Sequence, residues 1–177
     1  EWAELMRSLR IHGKGTDKYD NVRIGLNSRL DTLQATVLDV KLEALKNGEL
    51  DAVNQAAKRY TEQLKGIVKT PSVRPGFYSS WAQYSILLEN REVRDGLQAY
   101  LKEQGIPSMI YYPKPMSQQT AFAGMDCVKV PLSNAAGLCE RVLALPMHPY
   151  IQPEEQVSIC NAVRKYFNSP LALPPCL

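Results

Sequence analysis

Between Leu30 and Lys46 the apolar residues fall on two helical stripes. Leu30, Leu33, Val37, Val40 and Ala44 form one, and Leu38, Leu42 and Leu45 form the other. A helix in contact with solvent on one side needs a single apolar stripe. Two stripes predict a helix wedged between two surfaces, one of which could belong to another subunit. Asn47-Gly48 reads as its left-handed stop. This segment constrains the fold most, because a small isolated domain has little use for it.

Helical spacing predicts a helix over residues 2–11, halted by Gly13 and Gly15. A second helix over 49–65 carries one stripe of Leu50, Val53, Ala57, Tyr60 and Leu64 and closes at Gly66. Strand signals follow at Ile67-Val68, over 81–88 and over 107–112, the last cut off by Pro113 and Pro115. Helices are predicted over 91–104, 134–141 and 153–167, with a buried strand at 142–145. The Pro-rich tail from Ser169 reads as a fraying terminus. The order implies an α+β fold: a short, mostly antiparallel sheet of roughly three strands with helices packed on it.

At 177 residues the chain can bury a core without metal or disulfide staples. Its 21 basic and 18 acidic residues are interleaved, without the basic run of a nucleic-acid arm, so no nucleic-acid partner is expected. Cys127, Cys139, Cys160 and Cys176 form no C-x-x-C pair and read as reduced cysteines of a cytoplasmic protein, not as a zinc site. No apolar run reaches the ~20 residues of a membrane span. The amino end lacks a signal peptide's basic start and an initiator Met, which reads as a start in mid-protein.

Two segments concentrate chemistry. From Lys18 to Arg29 the chain carries Arg23, Asn27 and Arg29 with a flexible Gly25, and leads into a helix amino end, where free N–H groups favour an anion. The same residues fit a plain reading in which Asn27 and Asp31 only shape the turn and helix start. The second segment is Ser108–Met116, with Tyr111, Tyr112 and Lys114 on a rigid Pro-Lys-Pro frame. Strand alternation sends the two tyrosines to opposite faces unless the strand has ended before them. His12 and His148 are each lone, which suits turn or surface histidines better than metal ligands.

Ile11-His-Gly13, Lys18-Tyr19, Ile24-Gly25-x-Asn27-x-Arg29-Leu30 and Leu33-Gln34-Ala35 together resemble the central signature of the DegT/DnrJ/StrS sugar aminotransferases. Trp81-Ala-Gln-Tyr84, Gly105-Ile-Pro107, Tyr112-Pro-x-Pro115 and Leu145-Pro-Met-His-Pro-Tyr150 follow in that family's order. The resemblance implies fold-type-I enzymes that use pyridoxal 5′-phosphate (PLP). It places residues 1–29 at the end of the large cofactor domain and in the interface loop. Residues 30–177 are similar to the carboxy-terminal small domain.

The resemblance also implies roles. Asn27 matches an asparagine that reaches the cofactor phosphate of the neighbouring subunit of a homodimer. Arg29, Tyr111, Tyr112 and Lys114 match the substrate side, although the common family form has His where Tyr111 stands. The Schiff-base lysine belongs to a segment preceding Ile11, so no catalytic residue is nominated here and the chain alone is expected to hold no PLP and to be inactive. The Ser79–Gln83 and Tyr111–Gln119 stretches resemble enzymes that aminate UDP-linked keto-sugars for surface glycans, with glutamate as the amino-acid donor. Two other readings stand beside this one. One is a non-enzymatic nucleotide-sugar-binding or dimerisation module; the other is a PLP-bound sugar dehydratase of the same fold.

Overall fold

The computed structural model describes residues 1–17, 19–122 and 132–169, so Lys18, Cys127, Cys176 and the tail from residue 170 lie outside the described residues. It divides into two compact units, Glu1–Asn47 and Gly48 onward. The first unit holds α1 (Trp2–Leu9) and α2 (Thr32–Ala44). The second holds α3 (Leu50–Leu64), β1 (Tyr84–Leu87), α4 (Arg91–Glu103), α5 (Ser133–Arg141), β2 (Val142–Leu145) and α6 (Pro153–Asn168).

The helices follow the expected periodicity, with local chemistry setting their ends. Asp31 caps α2 by accepting from the Leu33 and Gln34 amides at 2.9 and 3.3 Å. Such a cap contributes about 1 kcal/mol and already uses two amides that the sequence offered to an anion. The expected stop at Asn47-Gly48 does not form. Leu45–Glu49 makes a π-helical turn instead. Gly48 sits there at φ +137°, a conformation closed to side chains with a Cβ.

The sheet is smaller than expected. β1 and β2 pair antiparallel, with Tyr84 opposite Leu145 and Leu87 opposite Val142. Ile67 and Val68 do not extend it as a strand, because both amides bond back to the Leu64 carbonyl and close α3. Only Lys69 reaches Leu87, through an isolated bridge. The 107–112 segment likewise contributes one bridge, Met109 to Ala144. Pro107 and Pro113 flank it and lack the N–H a longer ladder needs.

The core of the second unit lies on one face of this sheet. Tyr84 and Ile86 of β1, and Leu143 and Leu145 of β2, meet Ala57, Tyr60 and Leu64 of α3, Leu97 and Leu101 of α4 and Val163 of α6. Burying each Leu side chain is worth about 1.5–3 kcal/mol. Tyr60 and Tyr84 stack with centroids 4.9 Å apart. Their hydroxyls are satisfied: Tyr60 donates to the Pro146 carbonyl at 2.9 Å, and Tyr84 lies 2.8 Å from the Thr61 hydroxyl. A Cβ on Gly96 of α4 would stand 2.4 Å from the Tyr166 hydroxyl, so a side chain there would displace the end of that tyrosine.

Two buried polar residues tie helices together. Gln156 accepts from Arg59 Nε at 2.5 Å and donates to the Ala56 carbonyl at 3.0 Å, joining α6 to α3. Arg94 donates to the Cys139 carbonyl at 3.0 Å, joining α4 to α5. Unpaired at such depth, either group would cost more than the hydrogen bonds it makes.

Candidate functional site

In the first unit a loop is closed by backbone bonds. Leu26 donates to the Leu9 carbonyl at 2.8 Å, His12 to Leu26 at 2.9 Å and Ser28 to Arg10 at 2.9 Å. The loop closes only because two glycines meet. A Cβ on Gly13 would lie 1.9 Å from the Arg23 carbonyl oxygen, and one on Gly25 would lie 2.2 Å from the Gly13 nitrogen. Arg23 donates to the Ser8 hydroxyl at 2.9 Å on the surface, tying the loop to α1. Asn27 bridges Ile11 through its backbone. Its side chain and that of Arg29 are exposed, with no hydrogen bond or ion pair among the described residues.

The second unit carries a cleft of about 180 Å³ behind the sheet. Ala82 and Gln83 line it from the approach to β1, Ala144 to Met147 from the end of β2, and Pro107 to Met109 with Tyr111 from the flanking segment. The 107–111 segment is held on two sides. Met109 and Ala144 exchange backbone bonds of 3.1 and 2.7 Å, and Gln98 Nε2 donates to the Ser108 carbonyl at 3.3 Å.

Tyr111 lines the cleft, whereas Tyr112 and Lys114 do not. The two tyrosine rings are not on opposite faces: they meet edge-on with centroids 5.8 Å apart. Alternation fails because the strand ends before them. Tyr111 is 38% exposed and Tyr112 66%, so Tyr111 is the better anchored. Asn27 and Arg29 lie in the other unit.

The Ser79–Gln83 stretch, which carries part of the family resemblance, forms the approach to this cleft. Trp81 adopts φ +46°, a left-handed conformation that costs a bulky residue about 1–2 kcal/mol. Asn54 holds it there. Its carbonyl accepts from the Trp81 indole at 2.9 Å, and its amide donates to the Ser79 and Leu50 carbonyls at 2.9 and 2.8 Å. The clamp ties Ser79 and Trp81, just before Ala82 and Gln83, to α3, and no local pattern announces it.

The wall behind the cleft is chemically quiet. Burial raises the Tyr60 and Tyr84 phenols above their ordinary range. Burial also pushes the Cys160 thiol up to about 11, with Arg164 opposing. These groups stay protonated near neutrality and act as packing. Among the described residues no group of three or more His, Cys, Asp or Glu could hold a metal, and no helix is long and apolar enough to cross a membrane.

The sequence profile of the DegT/DnrJ/EryC1/StrS aminotransferases matches residues 1–164. The chain belongs to this family. It is 37% identical over 164 residues to the UDP-2-acetamido-2-deoxy-3-oxo-D-glucuronate aminotransferase of Pseudomonas aeruginosa, with 92% of the chain and 44% of that protein covered. It is 35% identical to the UDP-N-acetyl-3-dehydro-alpha-D-glucosamine 3-aminotransferase of Acidithiobacillus ferrooxidans, covering 93% of the chain and 43% of that enzyme. A crystal structure of a DegT/DnrJ/EryC1/StrS aminotransferase from Brucella abortus superposes with a TM-score of 0.86 at 47% identity, over 94% of the chain and 44% of that structure. The chain thus spans less than half the length of the relatives it matches. A protein of the same fold from Streptococcus pneumoniae, 22% identical, has been solved in a PLP form and a PMP form.

Proposed function

We propose that this DegT-family chain supplies the interface loop and small domain of a PLP-dependent aminotransferase. That enzyme transfers an amino group from an amino acid, glutamate in this reading, to a UDP-linked keto-sugar for surface-glycan synthesis in the cytoplasm. The observation that carries the reading is the closed Ile11–Arg29 loop, which holds the family signature and presents Asn27 and Arg29 with no partner among the described residues. A loop held by backbone bonds at Leu26 to Ser28, with an amide and a guanidinium exposed beside them, can meet a ligand. Both relatives described above act on UDP-linked keto-sugars by name, which supports the same substrate class here.

The fit to PLP rests on donor chemistry. A carboxamide can donate to a phosphate without adding charge, and Asn27 is exposed on a backbone that its bridge to Ile11 holds in place. Asn27 would hold the phosphate across the interface of a homodimer. When bound, PLP supplies the electron sink for amino transfer. Arg29, Tyr111, Tyr112 and Lys114 would orient the sugar nucleotide, and of these Tyr111 lines the cleft. The lysine that carries the cofactor is assigned to no residue here. Residues 1–29 serve as the end of the cofactor domain and residues 30–177 as the small domain.

Asn27→Ala in the complete enzyme tests this reading. Losing a hydrogen bond to a charged phosphate, about 1.5–3 kcal/mol, should weaken PLP retention roughly ten- to a hundredfold in a spectrophotometric titration. Unchanged affinity would remove Asn27 from the cofactor site. A complete enzyme that does not convert its bound PLP to PMP with glutamate would overturn glutamate as the donor.

A further inference from the structure

The cleft behind the sheet contains a polar residue without a partner. Alternation along β1 sends Tyr84 and Ile86 into the core and Ser85 and Leu87 to the other face. Gln83 continues the second series. The position opposite it, next after the Tyr84–Leu145 pair, falls to Pro146, which has no N–H, so the ladder stops there. Gln83 therefore stands at the open end of the sheet. Its side chain is exposed and makes no hydrogen bond among the described residues. The residue is nonetheless well positioned, because the Asn54–Trp81 clamp holds the backbone that carries it.

The rest of the cleft selects for shape. Ala144, in the middle of β2, is only 4% exposed, and its small side chain leaves room between Gln83 and the 107–111 segment. Ala82, Met109, Leu145, Pro146 and Met147 supply apolar surface, while Tyr111 adds a ring and a hydroxyl. Few polar groups on an apolar, concave wall describe a small-molecule subsite. A carboxamide presents an acceptor and a donor side by side on one flat edge, with a second donor pointing away. Its complement is an amide, fully matched where a carbonyl and an N–H stand side by side in a ring and singly matched by an open-chain amide.

We propose that Gln83 is a specificity-determining residue, hydrogen-bonding through its carboxamide to an amide of the substrate in the Tyr111–Ala144 cleft. This deepens the reading of the chain as part of an enzyme for UDP-linked sugars. Two parts of such a substrate carry amide chemistry: the imide edge of the uracil, which can pair edge to edge, and an acetamido group on the sugar, whose trans amide turns carbonyl and N–H apart and exchanges a single hydrogen bond with Gln83.

Binding to the full chain, followed by nitrogen-15 and proton chemical shifts, tests the assignment without any amino-transfer activity. N-acetylglucosamine, glucose and uridine 5′-monophosphate serve as probes. N-acetylglucosamine or the uridine nucleotide should move the Gln83 side-chain amide and the Met109 and Ala144 backbone signals, and glucose should not. The probe that does so identifies which amide is read. Gln83→Leu, at an exposed position that should fold normally, should weaken that probe about tenfold, the worth of one to two net hydrogen bonds. Ala144→Leu should abolish binding by filling the cleft. The proposal is overturned if glucose moves the same signals, if neither amide probe does, or if Gln83→Leu binds as tightly as the parent chain. Because none of these readouts involves PLP, their failure would leave the role of Asn27 standing, and loss of the Asn27 role would leave them unchanged.

Discussion

The two units of this chain use apolar residues in opposite ways. From Gly48 onward, the long apolar side chains of α3, β1, α4, β2 and α6 converge on one core, where Tyr60, Leu64, Leu97 and Leu143 are fully buried. In Glu1–Asn47 the one buried residue among those described is Gly13. Ile24 is 99% exposed, Leu33 is 80% exposed, and both stripes of α2 face solvent. Hydrophobicity of sequence therefore separates from hydrophobicity of core. The second unit satisfies its apolar pattern internally. The first is shaped by backbone hydrogen bonds, a glycine contact and a helix cap, and its apolar surface is left over. In the proposed enzyme, that surface would meet the rest of the cofactor domain or the second subunit.

Truncation in the core should separate the units most sharply. Leu101→Ala removes a fully buried side chain of α4 and should lower the stability of the second unit by about 2–5 kcal/mol, measured by denaturant unfolding. A loss below about 1 kcal/mol would mean that the core is looser than its burial indicates.

Alkaline titration should give the next largest effect, again confined to the second unit. The Cys160 thiol rises from an ordinary 9.0 to about 11 in the folded chain, and the Tyr60, Tyr84 and Tyr166 phenols are also raised. A raised folded-state value means that the unfolded chain releases its proton first. The stabilisation is thus complete below pH 9.0 and is lost as pH climbs through about 11. For Cys160 the loss is on the order of 2 kcal/mol. Unfolding midpoints that stay level across this window would show that these groups remain solvated.

The smallest effect is expected in the first unit. Leu33→Ala in this chain should change stability by less than about 0.5 kcal/mol, because no buried contact is lost. The same substitution in the complete enzyme should cost more if α2 is covered there. Equal, negligible effects in both settings would end the proposal that α2 is an interface helix.

Much of the helical framework was legible because its determinants are local. Val53, Ala57, Tyr60 and Leu64 recur at helical spacing on α3, and that face is the one buried. The loop signature was legible too, and its glycines prove to be contacts, with Gly13 and Gly25 too close for any side chain between them. The strand forecasts at Ile67-Val68 and 107–112 exceeded what formed. β propensity does not report that an amide is already used by a helix end, or that prolines bracket a segment.

The sequence by itself determined the family and the buried faces of the core helices, since each is written in identity and spacing. Tertiary structure alone decided which residues share a site. The cleft joins residues 82–83, 107–111 and 144–147, brought together by strand register, a proline that ends the ladder and a tryptophan held left-handed by Asn54. Tyr111 enters that cleft and Tyr112 does not, although they are neighbours in the chain. Periodicity records which way a side chain points from its own element. It holds no record of which distant element will stand opposite, because that depends on packing and hydrogen bonds closed only when the chain is folded.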